Sequence, residues 1–219
     1  GEGIIVDVSK NLNSLISVDP EKRQASVQPG IVLDQLNDRL KKHGLFFPVD
    51  VSTSSRATIG GMTANNSCGA RSIRYGKMVD NVREVDAVLA DGSSMRFGKW
   101  DEGTASAVPQ RQQKLVSQLI DLGTRESEEV ARRFPRVQRR VGGYNLDVLS
   151  AESGSSLNLA QLLVGSEGTL AVSSQITLNL QPIPEHKVLG VCHFPTFYQA
   201  METTQHLVEL EPDAVELVD

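Results

Sequence analysis

Along this chain, short β-branched runs give way to longer stretches with helical period, and the two patterns predict its elements. Residues 4–8, 15–18 and 25–28 are β-branched runs separated by Asn, Asp and Pro, the signature of successive strands. Over 31–43, apolar residues at 32, 33, 36 and 40 make one helical face, and Gly44 follows where a left-handed cap is expected. Residues 85–90 and Ser94–Phe97 flank Asp91-Gly92 and read as a hairpin with a two-residue turn, covering one sheet edge. Residues 110–122 and 125–134 carry the pattern of two surface helices broken at Gly123-Thr124. A long strand over 169–180, with a slip or bulge at Gln175/Ile176, is stopped by Pro182 and Pro184. Beyond those prolines the pattern restarts as a strand over 188–194, a helix over 197–210 and a strand over 214–218.

Two strands do not make a stable sheet, so the expectation is one domain over 1–184 and the beginning of a second over 185–219. The opening Gly1-Glu2-Gly3-Ile4-Ile5 lacks a Met start and the layout of a signal peptide, and reads as a cut end. At 219 residues, with 39% hydrophobic and 22% charged residues, the chain is long enough to bury a core. No apolar run approaches the roughly 18 residues of a membrane helix, which predicts a soluble protein. A net charge of −5 argues against a broad nucleic-acid surface. The local exception, Arg132, Arg133, Arg136, Arg139 and Arg140, follows Glu126, Glu128 and Glu129 in helical spacing and reads as a solvated helix. Cys68 and Cys192 lie far apart without metal-ligand spacing, which fits a reducing compartment.

Residues 45–75 depart from both periods and are dominated by Ser, Thr, Gly, Asn and other small residues. Small side chains let main-chain N–H groups approach an anion, and hydroxyl and amide groups add donors for a phosphate or a polar ring edge. A Gly/Ser-rich surface loop has the same composition. The apolar residues Ile59, Met62 and Ala64 inside the stretch would anchor it to a core, which favours binding. A second element, Gly165-Ser166-Glu167-Gly168-Thr169-Leu170, brackets a tight turn with glycines directly before the long strand. Gly142-Gly143-Tyr144-Asn145 is a third, read here as a turn with a packed Tyr. There is no G-x-G-x-x-G after a strand, no P-loop, no HExxH, no Ser-His-Asp order and no His pair at ligand spacing, so chemistry falls to a cofactor or to other chain.

Six ordered motifs, Val27-Gln28-Pro29-Gly30, Thr58-Ile59-Gly60-Gly61 through Asn66-Ser67-Cys68-Gly69, Arg74-Tyr75-Gly76 with Asp80-Asn81-Val82, Leu89-Ala90-Asp91-Gly92, Gly143-Tyr144-Asn145-Leu146 and Gly165-Ser166-Glu167-Gly168-Thr169-Leu170, together resemble the FAD-linked oxidase family. The resemblance is to its p-cresol methylhydroxylase-type FAD-binding domain, in the branch of the D-lactate, glycolate and D-2-hydroxyglutarate dehydrogenases. It implies an α+β fold of two subdomains with FAD between them, then a cap domain carrying most substrate contacts. Asp50, Ser52, Thr53 and Thr58 would line the flavin and pyrophosphate, with Gly60 and Gly61 admitting the cofactor at backbone distance. Asn65, Asn66, Ser67 and Cys68 would follow along it, Cys68 without covalent attachment. Glu167, Gly168, Thr169 and Leu170 would meet it from the second subdomain.

None of these is a proton-transfer residue, so no catalytic residue and no metal ligand is assigned in this chain. By the same resemblance a C2 hydride of a small D-2-hydroxy acid passes to flavin N5, a cap-domain base takes the hydroxyl proton, and electrons leave to a quinone, a cytochrome or another carrier. An iron–sulfur cluster elsewhere in the protein, and a cytoplasmic location peripheral to the inner membrane, are also implied. The family's Gly-rich pyrophosphate loop and its His-rich cap motif are absent from these residues, so the expectation is weak FAD binding and no turnover by this stretch alone. Two rivals stay open: an FAD domain like that of the UDP-N-acetylenolpyruvoylglucosamine reductases, and a flavin-free scaffold or interaction module.

Overall fold

The computed structural model describes residues 5–149 and 157–218. Strands β1 (Leu15–Asp19) and β2 (Gln24–Val27) form an antiparallel hairpin. Helix α1 (Leu33–Leu40) buries Leu33, Leu36 and Leu40, the face its period predicts. A 3₁₀ turn over Lys41–His43 continues it to Gly44, whose φ of 67° is the left-handed cap expected there. Strand β3 (Leu45–Phe46) follows.

The small-residue region then folds as three short helices, α2 (Ile59–Ala64), α3 (Ser72–Tyr75) and α4 (Met78–Asn81), before strands β4 (Val82–Val88) and β5 (Ser94–Phe97). Helices α5 (Glu102–Ala107), α6 (Gln110–Arg125) and α7 (Ser127–Arg133) lead towards the short α8 (Ala160–Leu163). Strand β6 (Val172–Asn179) and the two-residue β7 (Gln181–Pro182) precede the last helix, α9 (Phe197–Val208).

The main sheet has the order β1-β2-β6-β4-β5, antiparallel throughout. A strand from late in the chain thus sits between two early hairpins. Ile176 and Leu178 of β6 are fully buried on one face with Val27, Val85 and Ala87. Burying such a side chain is worth about 1.5–3 kcal/mol, so this central seam holds the sheet to the helices. On the other face Ser26 Oγ and Thr177 Oγ1 meet at 3.0 Å. The expected irregularity in the long strand is a bulge at Ser174: Asp86 pairs with Gln175 but Ala87 with Ser173, and Ser174 Oγ donates to the Asp86 carbonyl at 3.0 Å.

Several expectations are corrected. Residues 5–8 are not a strand, and Ile4 lies outside the described residues. Instead the segment turns over Gly30, with Leu12 N–H donating to the Val8 carbonyl and Gly30 N–H to the Leu12 carbonyl. The hairpin at Asp91-Gly92 spans five residues, 89–93, because only Gly92 takes a positive φ, 80°, where a two-residue turn of the expected kind needs two. Pro182 does not end pairing: the chain leaves the main sheet and pairs again with β3, where an edge position tolerates the missing N–H.

The break between α6 and α7 falls at Glu126, with Gly123 inside α6. A Cβ on Gly123 would lie 2.5 Å from Leu149 Cβ, so this glycine serves close packing. Residues 188–194 and 214–218 form no strands. Val188 and Val191 are 96% and 68% exposed, since no ladder among the described residues receives them. No helix among those residues is long and apolar enough to cross a membrane.

Candidate functional site

Helix α2 is placed by its first turn. Thr58 accepts from the Gly61 N–H at 3.2 Å, Ile59 N–H donates to the Ile31 carbonyl at 2.9 Å, and Gly60 N–H to the Pro29 carbonyl at 2.7 Å. These donors are therefore already used inside the chain. The two glycines differ. A Cβ on Gly60 would lie 2.5 Å from Pro29 Cβ, so packing alone requires glycine there. At Gly61, which is exposed, it would meet only Thr58 Oγ1, at 3.1 Å. Ile59 and Met62 are buried and anchor the helix as the sequence pattern suggested, with Thr63 buried in place of the expected Ala64, which is half-buried.

The loop after α2 brings Asp50 and residues 65–69 together. Asp50 Oδ1 accepts from the Arg71 N–H at 3.1 Å, and a side chain on Gly69 would collide with the Asp50 carbonyl and carboxylate. Ser67 Oγ donates to Asn65 Oδ1 at 2.6 Å. Cys68 is a half-buried free thiol. Ser52 and Thr53 are exposed on the turn that follows Asp50. Among the described residues no acceptor meets the N–H groups of Asp50, Ser52, Thr53, Thr58, Cys68, Gly168 or Leu170, so several main-chain donors of the site residues are open.

Asn66 is the unusual member. It is 1% exposed and holds a positive φ of 51°. Its Oδ1 accepts from the Val79 N–H at 3.0 Å, which fixes the amide orientation, while its Nδ2 has no partner. An unsatisfied buried donor costs about 1–3 kcal/mol, so Asn66 is a place where a ligand oxygen would repay binding.

The second motif closes on the end of α2. Gly165 N–H donates to the Thr63 carbonyl and Glu167 N–H to the Ala64 carbonyl, both at 2.9 Å, the second pairing a carbonyl that the helix end leaves free. Glu167 and Gly168 take φ of 52° and 70°, while Glu167, Gly168 and Thr169 are exposed and Leu170 packs at the core's edge. A Cβ on Gly165 would lie 3.4 Å from both Asn66 Cβ and the Gly143 carbonyl. Three motifs distant in sequence therefore meet here, and left-handed residues concentrate at their seam.

The third motif was read as a turn with a packed Tyr, and the turn is present. The buried residue is Asn145, however, whose Nδ2 donates to the Gln161 and Val164 carbonyls at 3.0 and 2.9 Å. Tyr144 is 43% exposed, with its hydroxyl 2.8 Å from Thr169 Oγ1. The two glycines before it were the available signal. The arginine stretch also splits: Arg132 and Arg133 pair with Glu129 on α7, but Arg139 crosses to the Gly69 carbonyl at 2.9 Å and Arg140 pairs with Asp147.

A concavity of about 1420 Å³ adjoins the first motif. Phe46, Asp50, Ala70, Arg71 and Tyr75 line one side and the segment from Ile183 onward the other. Burial, then a hydrogen bond to Asp213, pushes the Tyr75 phenol above its ordinary pKa. Among the described residues no group of three or more His, Cys, Asp or Glu could hold a metal ion.

The residues present fit a flavin nucleotide: they offer bare backbone at Gly61, open main-chain donors and the orphaned Asn66 amide. Residues 1–98 match the family model described as FAD binding domain. The chain is 36% identical over 221 residues to the D-2-hydroxyglutarate dehydrogenase of Pseudomonas putida, covering all of this chain and 22% of that protein. It is 31% identical over 219 residues to the mitochondrial D-lactate dehydrogenase (cytochrome) of Arabidopsis thaliana, covering 99% of this chain and 30% of that one. The chain thus spans less than a third of either relative. Among solved structures, alkyldihydroxyacetonephosphate synthase superposes with a TM-score of 0.59 at 19% identity, over 94% of this chain and 28% of that chain, which shows a shared fold. Residues 1–98 thus match an FAD-binding domain, the whole chain is similar to parts of D-2-hydroxyglutarate and D-lactate dehydrogenases, and its fold is of the p-cresol methylhydroxylase type.

Proposed function

We propose that this chain forms the FAD cradle of a flavoprotein dehydrogenase that oxidises a small D-2-hydroxy acid. Residues 1–184 act as the FAD-binding domain, and 185–219 begin the substrate domain. The observation that carries the reading is the seam itself, where Thr63, Ala64 and Asn66 meet Gly165 and Glu167 and the Asn66 amide is left unpaired. Similarity to the D-2-hydroxyglutarate and D-lactate dehydrogenases supports the substrate class.

Bound FAD would supply the hydride acceptor for oxidation at C2 of the acid. The chain's own residues bind and orient. The N–H groups of Ser52, Thr53, Cys68 and Gly168 suit phosphate and ring oxygens, and Gly61 lets a planar or phosphorylated group lie on backbone. Asp50, Thr58 and Asn65 with Ser67 are held by hydrogen bonds inside the chain, so the cradle is ordered before a ligand arrives. Asn66 Nδ2 would donate to the cofactor, and Glu167, Gly168, Thr169 and Leu170 would line its site from the second motif. The base that takes the hydroxyl proton, and the acceptor of the electrons, a quinone or cytochrome, lie outside these residues.

The test is anaerobic mixing of the full-length protein with D-2-hydroxyglutarate, D-lactate or glycolate while flavin absorbance is followed. Bleaching by at least one of these acids, and none by L-2-hydroxyglutarate or L-lactate, is the expected result. A bound flavin that none of the three acids reduces would refute the substrate class.

A further inference from the structure

We infer that Tyr144 is an additional cofactor-contacting residue, and that its hydroxyl acts as a pure hydrogen-bond acceptor towards the flavin nucleotide. The inference rests on the reading of the seam as the FAD cradle and adds to it a residue and a polarity.

The polarity follows from counting protons. Thr169 Oγ1 donates to the Ser166 carbonyl at 2.5 Å, and a carbonyl can only accept. The single hydroxyl proton of Thr169 is therefore used. Tyr144 Oη lies 2.8 Å from the same Thr169 oxygen, so the proton between them must come from the phenol. With its proton directed at Thr169, Tyr144 Oη presents only lone pairs outward. A phosphate or carboxylate oxygen would be repelled there, and a hydroxyl or N–H donor would be accepted.

The placement comes from packing. Asn145, next in the chain, is 5% exposed and fixed by its two hydrogen bonds, and Gly143 takes a φ of 78°. These hold the Tyr144 backbone while the residue stays 43% exposed, its hydroxyl bonded to Thr169 but much of its apolar surface left in water. Gly165 has no side chain to separate this loop from Asn66, the other member of the seam with an unused polar group. Across Gly165 the seam thus carries both a buried donor, Asn66 Nδ2, and, on the loop after Gly143, an exposed acceptor, Tyr144 Oη. A polyhydroxylated chain or an imide ring edge carries both complementary functions; a bare anion does not.

The experiment uses apo-protein prepared from the full-length chain and titrated with FAD by fluorescence quenching. Tyr144→Phe should raise the FAD Kd about three- to tenfold, the size of one neutral hydrogen bond. Thr169→Val, which frees the phenol proton to turn outward, should weaken FAD similarly without adding to Tyr144→Phe in the double variant. Thr169→Ser, which keeps the hydroxyl, should restore binding. Far-UV dichroism and melting of each apo-variant check that the fold is kept. An unchanged Kd in Tyr144→Phe overturns the inference while leaving the cradle in place. A raised KM for the hydroxy acid with FAD Kd unchanged also overturns it, because the donor would then be the substrate's. Full-length protein that binds no FAD at all sinks the functional reading, and this inference with it.

Discussion

The two adjacent glycines of α2 separate a structural role from a binding role, since one is required by packing and the other is not. Gly60→Ala puts a methyl group 2.5 Å from Pro29 Cβ and 2.9 Å from its carbonyl oxygen, where carbon atoms prefer about 3.5–4.0 Å. Neither neighbour is the end of a flexible side chain. Overpacking of that kind costs about 1–3 kcal/mol, against a helix-propensity gain of about 1 kcal/mol for replacing glycine with alanine. Gly60→Ala is therefore destabilising or at best neutral. At Gly61 the same methyl group meets only Thr58 Oγ1, at 3.1 Å. The same propensity gain is offset by a loosened cap, itself worth about 1 kcal/mol, so Gly61→Ala leaves stability nearly unchanged. If the exposed backbone at Gly61 lies against the cofactor, the added volume instead appears as lost affinity, more for Gly61→Val than for Gly61→Ala. The assay is FAD titration of the full-length apo-variants beside chemical denaturation, with the exposed Gly103→Ala as control. Parental FAD affinity in a folded Gly61→Val protein would refute the placement of α2 against the cofactor.

Two further outcomes follow from single side chains. Asn145→Ala leaves the Gln161 and Val164 carbonyls unpaired in the interior and should cost about 2–4 kcal/mol in denaturant unfolding; a loss under about 0.5 kcal/mol would show that other donors replace the amide. The raised Tyr75 pKa means that its contribution is fully present below about pH 10, the unfolded value, and is lost as pH rises through the folded value. Above pH 10 the contact of Tyr75 and Arg74 with Asp213 should weaken, and Tyr75→Phe should remove that part of the alkaline transition. Superimposable curves for the two proteins would contradict it.

Most of the scaffold was legible because local chemistry and tertiary packing agree there. The Leu33, Leu36 and Leu40 stripe and the Gly44 cap each appear as read, and the β6 bulge falls at Ser174, beside the expected Gln175/Ile176. The misreadings occur where a residue answers to a partner remote in sequence. Gly123 looked like a helix break and is instead space for Leu149. The runs at 188–194 and 214–218 have strand composition, but a strand exists only through its ladder. Within the site, the composition of 45–75 pointed to open backbone, and the end of α2 with Asn66 does meet Gly165 and Glu167. What composition could not reveal is which small residues serve packing, as Gly60 and Gly69 do, and which leave a surface free, as Gly61 does. Tyr144 was missed because a buried aromatic and an exposed one have the same letter. Only the inward Asn145 beside it explains why the ring is left outside.

The most direct measurement of the central claim is the visible spectrum and flavin content of the purified full-length protein, before and after denaturation. The account predicts a yellow protein with close to stoichiometric FAD, all of it released into solution on unfolding because Cys68 forms no bond to it. A colourless full-length protein that takes up no FAD when the nucleotide is supplied would contradict the account.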